Sequence, residues 1–212
     1  MKNLLVIVVI CFWCNVALGQ QRKDCDDLKL IMENCTCDTT PLKNQSKIYY
    51  QANCDSVWLI LENKAGIKKI LYSLESDLSA YTYRLGYQLA KEYDKYLLFR
   101  SGCPANGPCN FVLLDKETGI KAKELGELIY NHETGITEDF LVYFTDKNLS
   151  SLTLDYLDTG KKYRIPVSSK SFKAVIPQYE IEYEVEGNIL TLAYGKGNKV
   201  KKIILDLKKY TR

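Results

Sequence analysis

Cysteine is the residue type whose spacing says most about the chemistry of this chain. Cys103 and Cys109 bracket Pro104, Ala105, Asn106, Gly107 and Pro108, a short stretch stiffened by two prolines and flanked by apolar runs. Two thiols at that spacing close a disulfide in an oxidising compartment, and the loop between them then meets a partner with little left to order. Residues 104–108 are therefore the candidate binding residues, with a stapled hairpin tip as the plainer reading. A second group, Cys25, Cys35, Cys37 and Cys54, contains no C-x-x-C pair, which argues against zinc. Cys35 and Cys37 stand too close to bond each other without strain. Two pairings remain open for this group: 25–35 with 37–54, or 25–37 with 35–54.

Other chemistry is sparse. The one histidine, His132, lies in the turn-like stretch Tyr130-Asn131-His132-Glu133-Thr134-Gly135 and reads as a loop bystander. No serine sits in a nucleophile elbow or three residues ahead of a lysine, and no phosphate loop is present. Asp146 to Ser150 begins like a calcium loop, but Ser151 stands where glycine is needed. No cofactor or metal is expected. Hydrolysis by two carboxylates is the alternative enzymatic reading, with Asp94, Asp115, Glu117, Glu138 and Asp155 as available acids. None of these stands out from the 26 acidic side chains.

Three surface features point toward binding, each with a structural explanation beside it. Sixteen tyrosines suit a recognition surface, yet tyrosine is also a good strand residue, and Tyr143, Tyr183 and Tyr194 fit a buried alternation. Tyr49 and Tyr50 are candidates for exposure. Glu180, Glu182, Glu184 and Glu186 alternate into an acidic stripe, which reads as a solvated strand face before it reads as a cation site. Lys196, Lys199, Lys201, Lys202, Lys208, Lys209 and Arg212 make the C-terminus basic, as the solvated side of a last strand would be.

The elements that must position these residues are strands. Runs of β-branched and aromatic residues at 57–61, 67–72, 96–99, 111–114, 140–144, 152–157, 189–194 and 203–207 alternate with turn sequences such as Asn63-Lys64-Ala65-Gly66 and Asp158-Thr159-Gly160. Glu186-Gly187-Asn188-Ile189 reads as a two-residue hairpin turn. Pairing Glu186 with Ile189 sets Val185, Tyr183 and Ile181 against Leu190, Leu192 and Tyr194 on one face. Apolar cores recur about every 40 to 50 residues, the rhythm of propeller blades or of an up-and-down barrel. The alternation of Tyr81, Tyr83, Leu85, Tyr87 and Leu89 predicts a strand over 81–93, and 120–130 is ambiguous between helix and strand.

The first nineteen residues read as a signal peptide: Lys2, an apolar stretch from Leu4 to Trp13, then Ala17-Leu18-Gly19 before a cut at Gln20. That stretch is too short to span a membrane, and no later window is longer. The formal net charge of +3 gives no reason to expect a nucleic-acid partner. The expected organisation is a signal peptide at 1–19, a cysteine-rich cap at 20–55 with a short helix after Asp26-Asp27, and an antiparallel β domain at 56–212. The expected fold is all-β, a propeller-like or barrel-like meander. Asn34, Asn44 and Asn148 begin Asn-x-Ser/Thr triplets, which would carry glycans in a eukaryotic host. The expected function is a secreted or periplasmic binding protein without catalysis, its partner an extracellular or periplasmic protein, peptide or glycan.

Overall fold

The structure is a computed structural model that describes residues 38–53, 55–75, 78, 81–104, 107–168, 170, 172, 174–195 and 200–211. The leader 1–19, the helix after Asp26-Asp27, the cysteines at 25, 35, 37 and 54, and Asn34 lie outside the described residues, as do Ala105 and Asn106 of the stapled loop.

Among the described residues, fourteen strands form four antiparallel sheets, each built from consecutive strands. Sheet 1 runs β1 (Thr40–Pro41), β2 (Lys47–Ala52), β3 (Ser56–Glu62) and β4 (Lys68–Glu75). Sheet 2 runs β5 (Gln88–Glu92), β6 (Tyr96–Ser101), β7 (Asn110–Asp115) and β8 (Lys121–Gly126). Sheet 3 is β9 (Phe140–Phe144), β10 (Ser151–Tyr156) and β11 (Lys161–Pro166), and sheet 4 is β12 (Ile181–Glu186), β13 (Ile189–Tyr194) and β14 (Lys201–Asp206). Among the described residues, helix is confined to two single turns, α1 (Thr82–Leu85) and α2 (Lys208–Thr211), and a 3-10 turn at Pro177–Glu180. Among the described residues no helix is long and apolar enough to cross a membrane.

The sheets stack face to face in chain order, which explains the unbroken apolar runs at their centres. Leu59 and Leu61 of sheet 1 pack on Leu97, Phe99, Val112 and Leu114 of sheet 2. The opposite face of sheet 2, with Leu98, Phe111 and Leu113, packs on Leu128, Leu141 and Tyr143. The far side of sheet 3, with Val142, Leu152 and Leu154, meets Ile181, Leu190 and Leu192 of sheet 4. Sheets 2 and 3 are thus covered on both sides, so Leu97, Leu98 and Phe99 are all 0% exposed although they alternate in direction. Each fully buried leucine contributes about 1.5 to 3 kcal/mol of apolar transfer free energy.

The C-terminal hairpin has the expected register, with Glu186 opposite Ile189 and Ile181 opposite Tyr194. Glu182, Glu184 and Glu186 are exposed, whereas Glu180 lies in the preceding 3-10 turn and is only half exposed. The segment 120–130 resolves as strand β8 over most of its length. Three expectations change. The barrel does not form: strands of different sheets share no ladder, and no closed barrel exists among the described residues. The strand expected over 81–93 is helical at its start, because Gly86 ends a turn at Thr82–Leu85 with its N–H on the Thr82 carbonyl, and pairing begins only at Gln88. Tyr49 and Tyr50 are half-buried, their hydroxyls donating to Glu62 and to the Tyr87 carbonyl. Sheet 1 also reaches back to Thr40: β1 and β2, inside the segment assigned to the cap, pair in register with β3 because Ile48 and Ala52 alternate into its buried face.

Candidate functional site

A row of three side chains crosses the edge of sheet 2. Gln88 on β5 stands opposite Arg100 on β6, and Arg100 opposite Phe111 on β7. Directly opposed residues share a face, and Phe111 places this one toward sheet 3. The row ends where Phe111 meets Gly126 at a register shift; Gly126, at φ +69°, turns the chain out of β8 into the segment 127–139. That segment lies over the row and encloses a cleft of about 230 Å³, lined by Gln88, Leu89, Ala90, Arg100, Phe111 and Tyr130, with His132, Gly135 and Ile136 at its other side.

The covering segment is fixed by its own turn. Asn131 Oδ1 accepts from the N–H groups of Glu133 and Thr134, and the Gly135 N–H bonds the Asn131 carbonyl at 2.9 Å. The Ile129 N–H donates to the Val142 carbonyl at 2.8 Å, which tethers the segment to β9. Aromatic rings then run outward from the floor. Tyr130 meets Phe111 edge-on at 5.8 Å, His132 lies 4.4 Å from Tyr130, and Tyr179 meets His132 edge-on at 4.8 Å. Partial burial among these rings draws the imidazole of His132 below its ordinary value, so the ring is neutral at neutral pH. Burial pushes the Tyr130 hydroxyl up and Glu127 adds to that shift, while the Arg100 guanidinium pulls the other way.

Glu127, 4% exposed, joins this cleft to the stapled loop. Its carboxylate accepts from the Cys109 N–H at 2.6 Å, the Leu128 N–H at 3.3 Å and the Tyr179 hydroxyl at 3.4 Å. Burial raises its pKa, and these hydrogen bonds act against the rise. Cys103 and Cys109 are joined by a disulfide. At the other end of the loop the Cys103 N–H donates to the Arg84 carbonyl, and Arg84 Nε returns a bond to the Cys103 carbonyl. Both feet of the loop are therefore anchored. Pro104 and Pro108 are exposed, and a side chain at Gly107 would come within 2.8 Å of Pro104.

The acids considered from sequence do other work. Asp115 caps the β7–β8 turn through Thr118, and Asp146 holds Ser150 and Ser151. Glu117 bonds the Asn44 amide, so Asn44 is engaged while Asn148 is exposed. Glu138 offers its main-chain carbonyl to Lys91. The Asp94 N–H donates to Asp158. Asp155, 1% exposed, accepts from Tyr143 at 2.7 Å and pairs with Lys162 at 3.1 Å and Lys123 at 3.3 Å, which pins β8 to β10. Burial draws Lys123 below its ordinary range, and Asp155 offsets part of that. Among the described residues no carboxylate lines the cleft.

Sequence reasoning singled out residues 104–108 and set His132 aside. The structure puts the loop directly beyond the cleft floor and puts His132 in its wall. Arg100, Gln88, Glu127, Tyr130 and Tyr179 were not singled out. One signal existed: in Leu97-Leu98-Phe99-Arg100, alternation places a cation on the same inward face as Leu98.

No protein-family model and no curated protein sequence matches the chain. Among solved structures, an uncharacterized protein from Listeria monocytogenes EGD-e matches over 82% of this chain and 64% of its own length, at 8% identity and a TM-score of 0.28. The chain thus spans a little under two thirds of that protein, and a likeness this weak carries no argument.

Proposed function

We propose that this chain is an exported, non-catalytic binding protein whose ligand enters the cleft between sheet 2 and the segment 127–139, with the stapled loop 103–109 as its brace and rim. The observation that carries this reading is the convergence of Arg100, Gln88, Tyr130 and His132 on one concave site. Few polar groups set among aromatic walls are the usual composition of a binding pocket. Export is supported by the leader-like residues 1–19 and by the disulfide. The four stacked sheets, each a meander in chain order, fit a propeller-like assembly of four units. The carboxylate-hydrolase alternative gains no support from a cleft without a lining acid.

The chain has one histidine, so its ring protons report on the cleft without assignment. The purified protein should be titrated with neutral saccharides, blocked peptides and small organic acids while the His132 resonances are followed by NMR. A saturable shift for at least one class is expected. Binding detected by calorimetry that leaves these resonances unmoved would place the site elsewhere and end this reading.

A further inference from the structure

Arg100 is the residue in this cleft that the fold does not explain. It faces the same way as Leu98, which is 0% exposed, and stands between Gln88 and Phe111 in the strand row. Arg100 itself is half-buried, so its guanidinium bears part of the desolvation cost that an anion normally offsets. Among the described residues no carboxylate lies within ion-pairing distance of it. Its Nη2 donates instead to the neutral Gln88 Oε1 at 2.6 Å, and the guanidinium also interacts with the neutral Tyr130 hydroxyl. Glu127 is near enough to be felt, but its oxygens are engaged by the Cys109 N–H, the Leu128 N–H and the Tyr179 hydroxyl. Arginine has five donors in a fixed fork, and Gln88 engages one side of it, which presets its orientation.

We infer that the cleft binds a carboxylate carrying an apolar or aromatic substituent, the carboxylate on the Arg100 fork and the substituent against Phe111, Tyr130 and His132. This rests on the cleft reading above and names its ligand chemistry. A planar guanidinium and a carboxylate match in a bidentate pair, which a neutral sugar cannot replace. Ile136 adds an apolar side chain that favours a hydrocarbon or ring beside the acid. The size sets the limit. About 230 Å³ is the share of roughly eight waters, below the 300 to 1,000 Å³ usual for drug-sized ligands. The occupant is therefore an end group or a very small molecule. A free small acid and the C-terminal residue of a peptide both present this chemistry.

The test compares four probes on the whole protein by the His132 resonances and calorimetry: N-acetylphenylalanine, its amide, and a tetraglycyl-phenylalanine peptide with a free or an amidated C-terminus. The free acids are expected to bind at least tenfold more tightly than their amides. R100Q should abolish that preference without lowering the melting temperature, and R100K, which keeps the charge but not the fork, should fall between. A peptide acid tenfold tighter than N-acetylphenylalanine identifies a chain end as the source; equal or weaker binding identifies a small acid. Acid and amide binding equally, or R100Q binding like wild type, overturns the inference. If R100Q fails to fold, the acid-to-amide ratio on the wild-type protein decides. Should these probes fail while a neutral ligand shifts His132, only the carboxylate inference falls; should nothing in either panel shift it, the cleft reading falls too.

Discussion

Replacing Cys103 and Cys109 together by serine isolates what the staple contributes. The bond closes a ring across a sequence separation of 6. For a ring that small the chain-entropy model gives about 2.3 kcal/mol, taken from the unfolded state. The native side should change little. The strands beside the ring pair through Ser101–Asn110 and Arg100–Phe111, and the loop feet keep their bonds to Arg84 and Glu127, none of which needs the sulfurs. At roughly 2 to 4 °C per kcal/mol for a chain of this size, the melting temperature should drop by roughly 5 to 9 °C. Thermal melts followed by circular dichroism, with urea titrations to fix the slope, provide the assay. The midpoint should fall with the slope unchanged. An unchanged melting temperature would show that the ring restricts nothing in the unfolded chain. Loss of the folded spectrum would show that the staple carries structure assigned here to the sheets. Either result refutes the reasoning.

Two further substitutions test the buried charges. Burial holds the Glu127 carboxyl above its ordinary range. A carboxyl raised in the folded state stabilises fully below its unfolded value of about 4.3, and that contribution is lost as pH rises through the folded value. Glu127→Gln keeps an acceptor for the Cys109 N–H but cannot ionise, so the stability of wild type relative to this variant should fall between pH 4 and pH 7 in urea titrations; a pH-independent difference would contradict the assignment. Lys116, 4% exposed, pairs with Glu92 at 2.9 Å and donates to the Tyr93 carbonyl at 3.0 Å. Lys116→Met should cost about 3 kcal/mol by leaving the Glu92 carboxylate without its cation, and adding Glu92→Gln should recover part of that loss. A double-mutant cycle with no coupling would reject the pairing as a stabilising contact.

Much of the fold was legible because each sheet is made from neighbouring strands. Phe140–Phe144 and Ile189–Tyr194 carry their own β-branched and aromatic residues, and Gly187-Asn188 sets the register of its hairpin by local turn chemistry alone. Thr82–Leu85 was misread because the pattern of tyrosines and leucines there fits both periods, and the decision lay with Gly86 as a helix end. The cleft was not legible. Gln88 and Arg100 pair within sheet 2, but His132 and Tyr179 come from the segment before sheet 3 and the turn before sheet 4, far along the chain, and reach that row only through tertiary packing. His132 looked inert because its turn residues are visible locally, whereas the rings of Tyr130 and Tyr179 against it come from packing.

The order of the sheets along the chain also shapes how the molecule assembles. Among the described residues no strand waits for a distant partner: every ladder joins strands adjacent in sequence, and each new sheet lays one face on the sheet completed before it. Loop closure is short at each step, so the entropic barrier to forming each sheet is low. A growing polypeptide can thus consolidate its structure in the order it is made, each finished sheet serving as the template surface for the next. The layers that hold the cleft are clamped from both sides.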